Sequence, residues 1–396
     1  MSERTVSSKN EIVIIGGGII GCTTAYYITR HPSFDPSTTT VRVVEASKHG
    51  VAQGASGKAG GLVAKWAYPK ELVDISYPEH VKLAEEHNGT ERWGWRFVGC
   101  GSWEGHGELI NADANAGAEA VDRKSLEKTA GLPDGSAFST SRRSKGLPDD
   151  LNWVKEELTE GYSPMAPPGD TAQVHPYLFT TSMMDLAKEK GAELIAAKAT
   201  AIQQNAGRVS GVVYVDNETG DTVTIPATHV VLSAGAWSPS LLPKLPIEAT
   251  RAHSIVIRPK DGVSIGPYVL FTEISLPSGE QVTPEIYARP ENKVYACGPG
   301  DNSALPPTVD DVEVYKPACD SLWERVASVS QELREGTVEK EQACFLPTVS
   351  IGGGPIVGHA SKTIKGLFIA TGHTCWVRIS CIAAQSCSCQ KLLGYL

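Results

Sequence analysis

The 396-residue sequence has no apolar run approaching the length needed to cross a bilayer, no cluster of basic residues, and no cysteine spacing that reads as a disulfide framework. Each absence removes a class of function. A spanning helix needs about 20 consecutive apolar residues, so a membrane protein is not expected. A formal net charge of -9 without a basic patch repels polyanions, which excludes nucleic acid and anionic lipid surfaces as partners. Met1 to Asn10 is polar and lacks the apolar core of a secretory signal, and Leu393-Gly394-Tyr395-Leu396 is not the Ser-Lys-Leu peroxisomal address; a cytoplasmic protein is expected. The nine cysteines are odd in number and scattered, as reduced thiols are. Four crowd the tail, at Cys375, Cys381, Cys387 and Cys389, but their spacing matches no common zinc pattern and the nearest histidine is His373. No metal is expected.

What remains is an ordinary globular composition, 41% hydrophobic and 20% charged, in a chain long enough for two domains. Glu11 to Ile15 reads as a β-branched strand, the next six residues carry four glycines, and Cys22 to Thr29 has helix-compatible spacing. Thr39 to Glu45 is a second strand, which gives a parallel unit with a right-handed crossover. Glu71 to Asn88 reads as helix, and Glu104 to Asp150 as polar decoration rich in Gly, Ser, Asp and Pro. A helix is predicted from Pro176 to Lys190, ended by Gly191. Strand-like runs return from Glu193 to Ser233. Arg251 to Arg258, Tyr268 to Leu276, Glu285 to Arg289 and Lys293 to Cys297 read as antiparallel strands of a second sheet, followed by a helix from Val309 to Leu333. Lys365 to Thr371 closes the first domain.

The spacing Gly16-x-Gly18-x-x-Gly21 suits a pyrophosphate: the first glycine makes a tight turn, the second admits the phosphate, and the third lets helix pack on strand. Alone it is a weak signal. Here a strand precedes it, a helix follows, and Glu45 ends the next strand 24 residues beyond Gly21. A carboxylate there accepts from both ribose hydroxyls, which favours FAD or NAD over NADP. The small-residue stretch Gly54-Ala55-Ser56-Gly57-Lys58-Ala59-Gly60-Gly61-Leu62 lets the backbone lie along an extended cofactor.

With Val231-Leu232-Ser233-Ala234-Gly235-Ala236-Trp237 and Gly366-Leu367-Phe368-Ile369-Ala370-Thr371-Gly372-His373, these segments resemble the D-amino-acid oxidase, glycine oxidase and sarcosine oxidase superfamily, with wording closest to fungal members of unassigned substrate. The resemblance implies an α/β fold: a Rossmann-type FAD-binding domain built from 1–70, 171–250 and 345–396, and a second, mainly antiparallel-sheet substrate domain from 71–170 and 251–344. It implies hydride transfer from a small amine or amino acid to flavin N5, with O2 as electron acceptor and hydrogen peroxide as product. In family terms Gly16, Gly18, Ile19, Ile20 and Gly21 hold the diphosphate, Glu45 and Ala46 the adenosine side, and Ser56 and Gly57 the phosphate and ribityl side. Ala199, Gly235 and Trp237 would flank the ADP portion, Gly61 and Leu62 the flavin ring, and Gly372 and His373 the last turn against the cofactor.

Five further residues carry sharper expectations. Cys344, in Gln342-Ala343-Cys344-Phe345-Leu346-Pro347, sits where sarcosine-oxidase-like members join a cysteine to the flavin; an unreacted buried thiol is the preferred reading. Arg289 resembles the arginine that forks onto a substrate carboxylate. His253 is a candidate base, with Tyr287 and Lys58 behind it, although flavin amine oxidation often needs none if the amine arrives neutral.

After Trp376 the chain departs from the family pattern: Val377-Arg378-Ile379-Ser380-Cys381-Ile382 replaces a glycine-rich turn, and the expectation is a mis-spliced or frame-shifted end. Alternatives to amine oxidation are oxidation of a hydroxyl on a sugar, polyol or secondary-metabolite intermediate, a flavin-binding protein of little turnover, and an NAD-dependent dehydrogenase.

Overall fold

The computed structural model of the chain describes residues 9–110, 145–360 and 363–374. The tail after Trp376 and the tail cysteines lie outside the described residues.

Ile12, Val13, Ile14 and Ile15 are β-branched and buried on both faces, as the central strand of a parallel sheet requires. Strand Asn10–Ile15 pairs in parallel with Thr39–Glu45 on one side and His229–Leu232 on the other. Outward, Thr39–Glu45 pairs with Ala192–Asn205, and His229–Leu232 with Leu367–Thr371, also in parallel. Antiparallel strands extend this eight-stranded sheet at both ends. Helix Ile19–Thr29 crosses one face beside helix Pro176–Lys188. The second helix opens at the proline and stops short of Gly191, whose φ of 96° ends it. This is the Rossmann-type domain.

The second sheet runs in the order Thr337–Val349, Ile247–Arg258, Lys293–Asp301, Glu285–Arg289, Tyr268–Ser275, Gly99–His106, Thr159–Pro164 and is antiparallel except where Tyr268–Ser275 meets Gly99–His106. Its two faces are distinct. Ile255, Ile257, Ile286, Ala288 and Val294 pack against helix Lys316–Ala327. Val256, Val269, Phe271, Tyr287 and Tyr295 make the other face, which meets Leu62 and Trp66 of the first domain.

Three readings of the sequence need correcting. The helix expected from Val309 to Leu333 is three pieces: a turn at Val309–Asp311 capped reciprocally by Thr308 and Asp311, helix Lys316–Ala327 with Pro317 in its first turn, and Gln331–Arg334 capped by Ser330. Each cap offers the backbone a fresh start, so the apolar period does not run through. Strand Thr337–Val349 was not expected. Glu339, Lys340 and Glu341 mask it as a polar segment because it is a sheet edge, where charge is tolerated. Helix Lys70–Glu86 buries Val73, Tyr77 and Leu83 in the core of the first domain, with Trp93 and Trp95, instead of belonging to the second unit.

Candidate active site

The turn after the first strand is shaped by close backbone approach. Gly16 has φ +108°, and a Cβ there would stand 2.5 Å from the Ser233 carbonyl oxygen. A Cβ on Gly21 would collide with the Gly16 carbonyl, and one on Gly57 with that of Ala52. The start of helix Ile19–Thr29 therefore lies open, with the Ile19 amide donating to Ser56 Oγ at 2.9 Å. Glu45 is buried at the end of its strand, where Oε2 accepts from the Gly17 amide at 2.6 Å and Oε1 from that of Ser47 at 2.8 Å. Burial pushes its carboxyl above the usual range, against the pull of these amides.

Above this turn lies a cleft of about 430 Å³. Of the sequence candidates, Gly16, Gly18, Ile20, Glu45, Ala46, Ser56, Ala199, Gly235, Trp237 and His373 line it. Ile19, Gly21 and Gly57 shape its floor from behind. His373 is buried, its Nε2 has no partner among the described residues, and burial lowers its imidazole to about 4, so it stands neutral against the cleft. A helix start walled by small residues and the Ser56 hydroxyl, a carboxylate at the strand end and a buried imidazole nitrogen with no partner among the described residues together fit an extended dinucleotide such as FAD.

Sequence reasoning missed one wall of the cleft. Leu305, Pro306, Pro307, Thr308 and Val309 arrive from the second domain and close over it. Trp237 Nε1 donates to the Pro306 carbonyl at 2.8 Å, while Asp310 takes the Ser47 hydroxyl at 2.5 Å and the Lys48 amide at 2.8 Å. The Thr308 and Asp311 capping pair was the only local signal of this turn.

Gly61 and Leu62 lie beyond the cleft, between the domains. The Gly61 carbonyl accepts from the Val174 amide at 2.9 Å, and Leu62 packs beneath the second sheet. Here Tyr287 and Arg289 share a sheet face. A Cβ on Gly60 would meet the Tyr287 ring at 2.7 Å, and the Arg289 guanidinium donates to the Ala59 carbonyl and stacks 4.5 Å over the Tyr295 ring. Among the described residues Arg289 Nε has no partner, and burial lowers the guanidinium to about 10. Cys344 lies on the same face near Lys58, Tyr295 and Cys297, its thiol pushed up to about 11 by burial. Lys58 donates to the Ala343 carbonyl at 3.1 Å. Gly372, with φ +78°, packs against Val349 and Ile247.

His253 is not part of this group. Alternation along its strand turns it to the opposite face from Ser254 and Val256, where Nε2 accepts from the Tyr315 amide at 3.0 Å. The two-residue period places it a sheet thickness away from Tyr287.

The family described as FAD dependent oxidoreductase matches residues 11–385, so the chain belongs to the DAO family of FAD-dependent oxidoreductases. Among its relatives are the putative oxidoreductase TDA3 of Saccharomyces cerevisiae, 30% identical with 94% of this chain and 89% of that protein covered, and a putative oxidoreductase of Schizosaccharomyces pombe, 28% identical with 94% and 91% covered. Glycine oxidase from Bacillus cereus has a similar fold, with a TM-score of 0.72 at 19% identity over 98% of this chain and 96% of that one. Iminodiacetate oxidase from Chelativorans gives a TM-score of 0.68 at 20% identity, covering 97% and 95%. The chain is an FAD-dependent enzyme.

Proposed function

We propose that this enzyme oxidises a small amine or amino acid at a C–N bond. FAD, when bound, would supply the hydride acceptor, with O2 as the electron acceptor and hydrogen peroxide as the product. The helix start between Gly16 and Gly21 holds the diphosphate through the Ile20 amide and the Ser56 hydroxyl that caps the Ile19 amide, where the helix dipole also favours negative charge. Glu45 would take the adenosine ribose, and His373 would offer the cofactor its Nε2, which has no partner among the described residues. Gly61 and Leu62 would flank the flavin ring, with the Tyr287 and Arg289 face as the substrate wall.

The observation that carries the amine reading is Arg289, a buried guanidinium beside Tyr287 and Tyr295, next to the Gly60 to Leu62 segment, whose Nε has no partner among the described residues. A fork of donors in an aromatic wall suits a carboxylate-bearing substrate. The named activities of the glycine and iminodiacetate oxidases of similar fold support the same reading. His253, on the far face, takes no part in the chemistry, and a neutral amine needs no dedicated base.

The test is peroxide release from the FAD-loaded protein against amines, amino acids, sugars and polyols. Turnover confined to amines or amino acids supports the proposal. Turnover confined to hydroxyl compounds, or bleaching of the flavin by none of the panel, contradicts it.

A further inference from the structure

The same sheet face carries a carboxyl that the sequence did not single out. Glu285 lies two residues before Tyr287 on one strand, so their side chains point the same way, and Phe271 is its cross-strand neighbour. Its bonds are lopsided. Oε2 accepts from the Tyr287 hydroxyl and, at 3.7 Å, from Cys297 Sγ. Among the described residues Oε1 has no partner and no lysine, arginine or histidine pairs with the carboxyl. Arg289 is held elsewhere, on the Ala59 carbonyl and the Tyr295 ring. Glu285 nevertheless keeps part of its surface accessible. Phe271, Tyr287 and Cys297 are its neighbours on that sheet face.

A carboxylate among aromatic and thiol groups with no cation is costly, and its Oε1 is left without a donor among the described residues. An ammonium ion removes both problems, and the neighbouring Phe271 and Trp66 rings, 6.1 Å apart, suit an organic cation. Resting on the amine reading above, we propose that Glu285 is the cation-binding residue of the substrate pocket, its open Oε1 accepting from the substrate ammonium. Burial raises the Glu285 carboxyl above its ordinary range, opposed by the Tyr287 and Cys297 bonds, and Cys100 is the other titratable group close to it. A bound cation would draw it back toward ionisation.

The test compares benzylammonium with benzyl alcohol, a neutral probe of nearly the same shape, binding to the FAD-loaded protein without oxygen, read by perturbation of the flavin spectrum. Wild type is expected to bind the cation at least about 10-fold tighter, and Glu285→Gln, which keeps the acceptor for Tyr287, to bring the two probes within about 3-fold. Should Glu285→Gln not accumulate, the same ratio is read on Glu285→Ala. Equal binding of the two probes in wild type, or a preference unchanged in either variant, overturns the assignment. Because binding is read without turnover, equal binding alongside amine oxidation overturns the role of Glu285 alone, whereas a peroxide panel answered only by hydroxyl compounds overturns the amine reading itself.

Discussion

The indole of Trp237 reaches across the domain boundary to the Pro306 carbonyl, a 2.8 Å hydrogen bond between residues 69 apart in sequence. It fastens the turn at Leu305 to Val309 over the cleft, with Asp310 anchoring the same turn to Ser47 and Lys48. Cofactor retention in this account depends on both domains.

Trp237→Phe keeps the ring against Phe345 but removes the donor. One lost hydrogen bond of about 1 kcal/mol corresponds to roughly 5-fold weaker FAD binding. Titrating flavin-free protein with FAD and following quenching of flavin fluorescence measures it. Unchanged affinity would show that the turn does not retain the cofactor.

Arg289→Lys keeps the charge and one donor for the Ala59 carbonyl but loses the planar fork. For an amino-acid substrate, KM is expected to rise roughly 10- to 100-fold with flavin content preserved. If KM for carboxylate substrates and for plain amines moves equally or not at all, Arg289 only straps the two domains together.

The Cys344 thiol is pushed up to about 11 by burial, so it is protonated at neutral pH and a poor nucleophile. Flavin is therefore expected to leave the polypeptide on denaturation. A fluorescent band that stays with the protein on a denaturing gel would show a covalent bond.

Burial, aided by Arg208 and His359, lowers the imidazole of His229 from 6.5 to about 4, beside the Thr228 hydroxyl at 3.0 Å. The sign follows from linkage: between these values the unfolded chain takes a proton that the folded one refuses, so stability present above pH 6.5 falls as the solution is acidified toward pH 4. At about 1.4 kcal/mol per pH unit the loss reaches roughly 3 kcal/mol. Thermal melts should show a shallower acid dependence in His229→Gln than in wild type, and parallel curves would contradict the assignment.

Much of this was legible along the chain. The strand from Glu11, the glycine turn and Glu45 are read from local period and spacing, which is where the physics of the diphosphate cradle is written. What was not legible depends on pairing between distant segments. Alternation tells that His253 and Ser254 point to opposite faces, but not which face meets the first domain; helix Lys316–Ala327 decides that. Glu285 entered the sequence reading only as the start of a strand, and its surroundings come from pairing with Phe271 and Cys297 on neighbouring strands. The turn at Leu305 acquires its role only from Trp237, in another domain.

The most direct measurement is FAD binding by wild type and Gly21→Val. A side chain at that position collides with the Gly16 carbonyl and must break the helix away from the strand. Wild type is expected to be yellow and to hold FAD, while Gly21→Val, if it folds, should be colourless and recover no flavin on addition. Wild-type protein that refuses added FAD, or a folded Gly21→Val that binds it as tightly as wild type, contradicts a diphosphate seated on the first helix.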